Sequence, residues 1–151
     1  MKVNVFTSYF AKMAKRKKNF NDVYIQISRS CYCPLKDLDG VPVQEQIDYA
    51  FLDLGNYGTL ADYEKNLPES DVLTLVDFLR PENWQFSEDD PETDEVNVFL
   101  LCFENLKAKW TKKDEEKHFD VKAGDFKKCH RTILAGILNK KFNLDVKEYE
   151  G

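Results

Sequence analysis

The chain has no run of the roughly 18 apolar residues that a membrane-crossing helix needs, and its opening, MKVNVFTSYF, is interrupted by polar residues where a secretory signal would be apolar. Neither a signal peptide nor a membrane span is expected, and a cytoplasmic protein is the default reading. G-x-x-x-x-G-K-[ST], G-x-G-x-x-G and G-x-S-x-G are also missing, so the common phosphate loops and the nucleophile elbow lend no support. A surplus of basic charge is lacking too. With a net charge of -5 and a pI near 5.1, the chain does not carry the globally basic surface of most nucleic-acid binders. The basic run KMAKRKKNF (Lys12 to Phe20) therefore reads as a solvated helix face. The four cysteines do not form the spacing of a secreted disulfide framework, so reduced thiols are expected. Cys31 and Cys33, with Cys129 and His130, are zinc-ligand types, but C-x-C has no matching second pair. SEDDPETDE (Ser87 to Glu95) is acidic without the spacing of a calcium loop. No metal and no cofactor are expected.

What is present is enough apolar material for one domain: 151 residues, 42% hydrophobic and 13% aromatic. VNVFTSYF begins as a strand. Tyr9, Phe10, Met13 and Ala14 then follow helical spacing, with Ser8 as the N-cap. Residues 22 to 30 alternate Val23, Ile25 and Ile27 against polar neighbours, the period of a strand, and the roughly twelve-residue connection before them suits a parallel crossover. Residues 31 to 58 read as an irregular excursion with a short helix around EQIDYAFLDL. A second short helix, from the Thr59/Asp62 capping pair to Leu67, follows. Val72, Leu75, Val76 and Leu79 make an apolar helical stripe that starts at Ser70 and stops at Pro81. VNVFLLCFE (Val96 to Glu104) is nearly all apolar, as in a strand covered on both faces of a parallel sheet. Ile133, Leu134, Ile137, Leu138 and Phe142 define a helix, Asn143 its stop, and LDVKEY a last strand. The expected class is α/β: a single domain over residues 1–151 with a mainly parallel sheet flanked by helices.

In such sheets ligands bind beyond the carboxyl ends of the strands, where helix amino ends also point. That rule gathers Ser8 and Tyr9, Ser28 and Arg29, Cys102 and Glu104, and the helix start Cys129, His130 and Arg131. Arg29 and Arg131 suit a phosphate or carboxylate, with Ser8, Tyr9 and Ser28 as further ligand-binding groups. Glu104 and His130 suit proton transfer, and Cys102 or Cys129 a nucleophilic thiol. Bland alternatives stand beside each: Cys102 as a buried structural thiol, Glu104 and Arg131 as an ion pair, His130 as a capping residue. The components fit acyl, glycosyl or phosphoryl chemistry equally.

TSYFAK, QISRS, LLCFEN and CHRTILAGIL, in that order, resemble the successive blocks of domain-of-unknown-function family 488. The resemblance spans most of the chain and is most specific in Leu-Cys-x-Glu followed by Cys-His-Arg at a helix start. It implies a compact α/β fold and a site at Tyr9, Ser28, Arg29, Cys102, Glu104, Cys129, His130 and Arg131, without implying a reaction. One departure is the lysine-rich insert at residues 105–128, where the family has a short loop. The expected partner is an anionic small molecule, such as a nucleotide or sugar phosphate. The alternative is a non-catalytic protein-interaction module of mobile-element or phage origin, using the acidic loop or the insert.

Overall fold

The described residues form five strands, the three longer of them rich in β-branched and aromatic residues: β1 (Lys2–Tyr9), β2 (Asp22–Gln26), β3 (Tyr49–Ala50), β4 (Glu95–Cys102) and β5 (Lys147–Glu148). In the computed structural model they form one sheet in the order β3-β2-β4-β1-β5, every neighbouring pair parallel. The structure describes residues 2–27, 35–51, 54, 65, 67–84, 94–102, 109, 111–117, 122–125 and 130–151, with Asp114, Lys117 and His130 by backbone alone. Helices α1 (Phe10–Met13), α2 (Glu69–Phe78), α3 (Lys112–Lys117) and α4 (His130–Phe142), with 3-10 turns at Val43–Gln46 and Pro81–Asn83, complete the described elements.

The pleat sorts the side chains into two layers. On one face Ile25, Ile27, Val98 and Leu100, with Val3, Val5 and Val23, meet Val72, Leu75 and Leu79 of α2 and its end, and Leu134, Ile137 and Leu138 of α4. On the other, Tyr24, Phe99, Leu101 and Phe6 meet Phe10 and Met13 of α1. Cover on both faces explains why β4 reads as continuous apolar sequence, and it is the α/β arrangement expected. Across the α1 face the side chains form rows. Asn4, Asn97 and Asp22 are hydrogen-bonded at the amino end, and in the middle Phe6 stacks on Phe99, which Tyr24 meets edge-on. Ser8, Leu101 and Gln26 lie in register at the carboxyl end.

Several local expectations need correction. Ser8 does not cap α1; the N-cap is Tyr9, in extended backbone with no side-chain cap, because β1 continues to Tyr9 and points Ser8 into the sheet's other layer. The short helix expected around EQIDYAFLDL is replaced, at Ile47 to Phe51, by extended chain. A 3-10 turn at Val43–Gln46 leads into β3, which pairs with Ile25 and Gln26 at the free edge of β2. The sequence offered apolar residues there without a period, and a neighbouring edge decided the conformation. Helix α2 begins one residue before Ser70, after Pro68, with Glu69 and Asp71 in its first turn where the helix dipole favours acids. The Thr59/Asp62 capping pair and the core of the acidic loop lie outside the described residues.

The end of the chain is placed by two devices. Asn143 adopts φ 56, the left-handed conformation that stops α4 after Lys140 and Lys141. Asn139 then grips the returning strand: its amide donates to the Val146 carbonyl at 3.0 Å and its carbonyl accepts from Val146 N–H at 2.8 Å. Only Lys147 and Glu148 of the expected strand pair with β1, and they set Glu148 opposite Thr7.

Candidate functional site at the carboxyl edge of the sheet

Strands β1 and β4 run side by side and end together, Tyr9 in register with Cys102. From there the chain leaves β1 over one face, through α1, and reaches β5 from β4 over the other, through α4. The described helices of the two connections thus lie on opposite faces, and in open α/β sheets ligands bind beyond the carboxyl ends of such a strand pair. Tyr9 and Cys102 are the last residues of the two strands.

Arg131, in the first turn of α4, reaches those strand ends with a side chain that is 0% exposed. Its Nη1 donates to the Cys102 sulfur at 2.8 Å. Its Nε and Nη2 donate to Oε1 and Oε2 of Glu148 at 2.9 and 2.8 Å, a two-pronged contact. Thr7 donates its hydroxyl to the same Oε1 at 2.7 Å, and the guanidinium lies 5.3 Å from the centre of the Tyr9 ring. Thr7, Tyr9 and Cys102 share this face because they are alternate residues of paired strands. The result is a chain of contacts, Thr7 to Glu148 to Arg131 to Cys102, from three strands and one helix.

Cys102 is 2% exposed and is held in a disulfide, so the expectation of reduced thiols fails at this position. Spacing along the chain gave no sign of it, because only folding decides which sulfurs approach the end of β4. The other cysteines, Cys31, Cys33 and Cys129, lie outside the described residues, as do Ser28, Arg29 and Glu104. His130 starts α4, but its side chain is not described. Of the proposed site residues, the structure therefore brings Tyr9, Cys102 and Arg131 together. It separates Ser8 from them: Ser8 is buried on the α1 face, and its hydroxyl has no hydrogen-bond partner. Gln44, which donates to Gln26 in the same row at 3.1 Å, also has a buried carbonyl oxygen without a partner.

Sequence reasoning missed Thr7 and Glu148. Glu148 is one acid among 27 acidic residues, and the only hint was that LDVKEY must join a sheet. Which strand it joins, and so which residue Glu148 meets, is not written locally.

A groove of about 430 Å³ opens elsewhere, lined by Lys18, Asn19, Asp22, Asp48, Tyr49 and Trp84 among others. It sits where β2 and β3 begin, at the opposite edge from Cys102. Its charges are internally matched, Lys18 to Asp48 at 2.6 Å and Asp22 to Arg16 at 2.7 Å. Size alone does not make it the better site, since the strand-end rule and the sulfur chemistry both point to the other edge. Among the described residues no three His, Cys, Asp or Glu side chains are grouped to hold a metal ion, and no helix is long and apolar enough to cross a membrane. The chain matches no family model, no curated protein and no solved structure.

Proposed function

We propose that the chain is a small α/β protein, of the family-488 type its motifs resemble, that binds an anionic small molecule at the carboxyl edge of its sheet. A nucleotide or sugar phosphate suits the chemistry, with Cys102, when reduced, as the group able to act on it. The observation that carries this reading is the paired end of β1 and β4, Tyr9 beside Cys102, between α1 on one face and α4 on the other, with Arg131 against the sulfur. One feature supports it: the amino end of α4, thirteen residues long, supplies N–H groups and a favourable dipole for an anion.

Arg131 takes a different part from the one its sequence suggests. Its guanidinium is buried and engaged with Glu148 and Cys102, so we assign it to positioning and charging the sulfur. The anion's contacts fall to α4 backbone N–H groups and to Arg29. A cytoplasmic setting, in which disulfides are transient, belongs to the same proposal.

Titration of the reduced protein with inorganic phosphate, a nucleoside monophosphate and a pentose phosphate, followed by amide chemical shifts, tests the reading. Shifts should gather at Tyr9, Cys102 and the first turn of α4. Shifts confined to the groove at Lys18 and Tyr49, or none up to millimolar ligand, would sink it.

The burial and pairing of Arg131 also favours a second reading, in which the edge only holds the fold and the chain is an interaction module. Deleting residues 87–95 then abolishes capture of a protein partner, whereas unchanged capture counts against that loop.

A further inference from the structure

Among the described residues two aromatic side chains are left exposed, Phe20 at 48% and Tyr49 at 46%, and both line the groove where β2 and β3 begin. A single apolar residue at a surface is ordinary, whereas two aromatic residues grouped in one hollow mark a place for a contact. The volume of that hollow, about 430 Å³, falls within the roughly 300–1,000 Å³ of small-molecule sites.

The walls are fixed in advance. Asp22, its side chain 0% exposed, accepts from Arg16 at 2.7 Å, from the Asn19 backbone N–H at 2.8 Å and from Asn97 at 3.3 Å. The Asp22 N–H returns to the Asn19 carbonyl at 3.1 Å, which closes the turn carrying Asn19 and Phe20. On the β3 side, Tyr49 is held edge-on against Phe78 at 4.7 Å and Trp84 at 6.4 Å.

The polar groups decide the charge of the guest. An ammonium has three donors, and Lys18 directs its own to Asp48 Oδ2 at 2.6 Å and the Gln46 carbonyl at 3.0 Å, with the Tyr24 ring centre 5.0 Å away. Gln46 and Tyr24 are not part of the groove's lining, so this cation is turned away from the hollow it flanks. Asp48 is arranged the other way. Its Oδ2 accepts from Lys18 and from the Tyr24 N–H at 2.9 Å, whereas its Oδ1 accepts nothing among the described residues and the side chain is 36% exposed. The exposed Asn19 amide can turn its carbonyl to the same guest. What the described lining offers is therefore carboxylate and amide oxygens beside aromatic faces, which are also electron-rich, and no unpaired cation to receive an anion.

A flat guest made only of donors matches that set. Guanidinium carries five N–H donors and no acceptor, stacks on aromatic faces and is more weakly hydrated than ammonium, so it gives up less on leaving water. A carboxylate on the same guest would meet the charge of Asp48 with Lys18 already engaged. We propose that this groove is a second site, which binds a small alkylguanidinium compound lacking a carboxylate, stacked on Phe20 and Tyr49 and donating to Asp48 Oδ1. It does not depend on the anion reading at the carboxyl edge.

The test titrates the full chain with n-butylguanidinium, followed by amide and indole N–H chemical shifts. Parallel titrations use n-butylurea, a neutral analogue of the same shape, n-butyltrimethylammonium, a cation without N–H donors, and inorganic phosphate. The expected result is saturable binding of butylguanidinium with Kd at or below about 1 mM, with shifts at Phe20, Tyr49 and Trp84 and none at Tyr9 or Cys102. The urea and the trimethylammonium should each bind at least about tenfold more weakly, one lacking the charge and the other the hydrogen bonds to it. Equal binding of either overturns the guanidinium assignment, and so does phosphate that shifts the groove as strongly. No saturation up to about 20 mM butylguanidinium overturns the site itself. Asp48→Asn should weaken binding at least about tenfold. Asp48 also holds the Tyr24 N–H, so if that variant does not fold, Phe20→Ala decides. Phe20 is a surface position, and its removal should cost about threefold in affinity as one exposed cation–π contact. Unchanged affinity in Phe20→Ala refutes the stacking.

Discussion

Replacing Glu148 by alanine asks how much the Thr7–Glu148–Arg131 connection contributes to the folded state. Arg131 is 0% exposed and the Glu148 side chain 32%, so the pair is neither fully buried nor superficial. Breaking a buried pair costs about 3–5 kcal/mol, and exposed pairs contribute about 0.2–1 kcal/mol. Here the arginine stays buried while the carboxylate's partial exposure weakens the interaction. The expected loss is therefore about 2–3 kcal/mol, which in a domain of this size lowers Tm by roughly 4–12 °C. Glu148→Gln retains an acceptor for Thr7 and Arg131 Nε and loses the charge, so about half of that is expected. Urea unfolding followed by circular dichroism under reducing conditions measures both, with the m-value as a check that the reference states are unchanged. A Thr7→Val cycle should show coupling with Glu148 of at least about 0.5 kcal/mol, since the hydroxyl and carboxylate touch at 2.7 Å. Glu148→Ala within about 1 kcal/mol of wild type would show that the fork is a surface pair, and the positioning of Arg131 would need another cause.

Tyr24 provides a prediction with a pH signature: burial pushes its phenol up to about 12 from 10.0, with Arg16 nearby opposing the rise. The folded state thus holds this proton more tightly than the unfolded chain, and the associated stability is complete below pH 10 and lost as pH rises toward 12, about 2–3 kcal/mol in all. Tyr24→Phe should lack that loss. At neutral pH it should lie within about 0.5 kcal/mol of wild type or above it, because the hydroxyl is buried without a partner; a penalty beyond about 1.5 kcal/mol at neutral pH contradicts this. Leu134, 0% exposed between α4 and the sheet, should cost about 3 kcal/mol as alanine, whereas Leu38→Ala, at 71% exposed, should stay within about 0.5 kcal/mol by urea midpoint.

The order of strands and helices was legible wherever a period ran long enough. Val72, Leu75 and Leu79 are buried as their spacing predicts, and Val96 to Cys102 is the doubly covered strand its apolar run implies. Legibility failed where a segment was short or its partner remote. Tyr49 and Ala50 became a strand because β2 offered an open edge, and Ser8 faced the other layer because β1 ran one residue further than the capping pattern suggested. In the site, Tyr9, Cys102 and Arg131 were reached through the rule about strand ends, a statement of topology applied to local signals. Glu148 and the disulfide were not reached.

The sequence by itself determined which residues seek the interior and where helices stop: Asn143 in its left-handed conformation and the apolar stripe of α4 are local matters of backbone sterics and side-chain period. Tertiary structure alone decided that β5 lies beside β1, which sets Glu148 against Thr7 and places it to receive Arg131. Contacts between residues 17 and 141 positions apart are selected by the global packing of the sheet. Hydrogen bonds of that range are compatible with many sequences and acquire their partners only when the strands close in register.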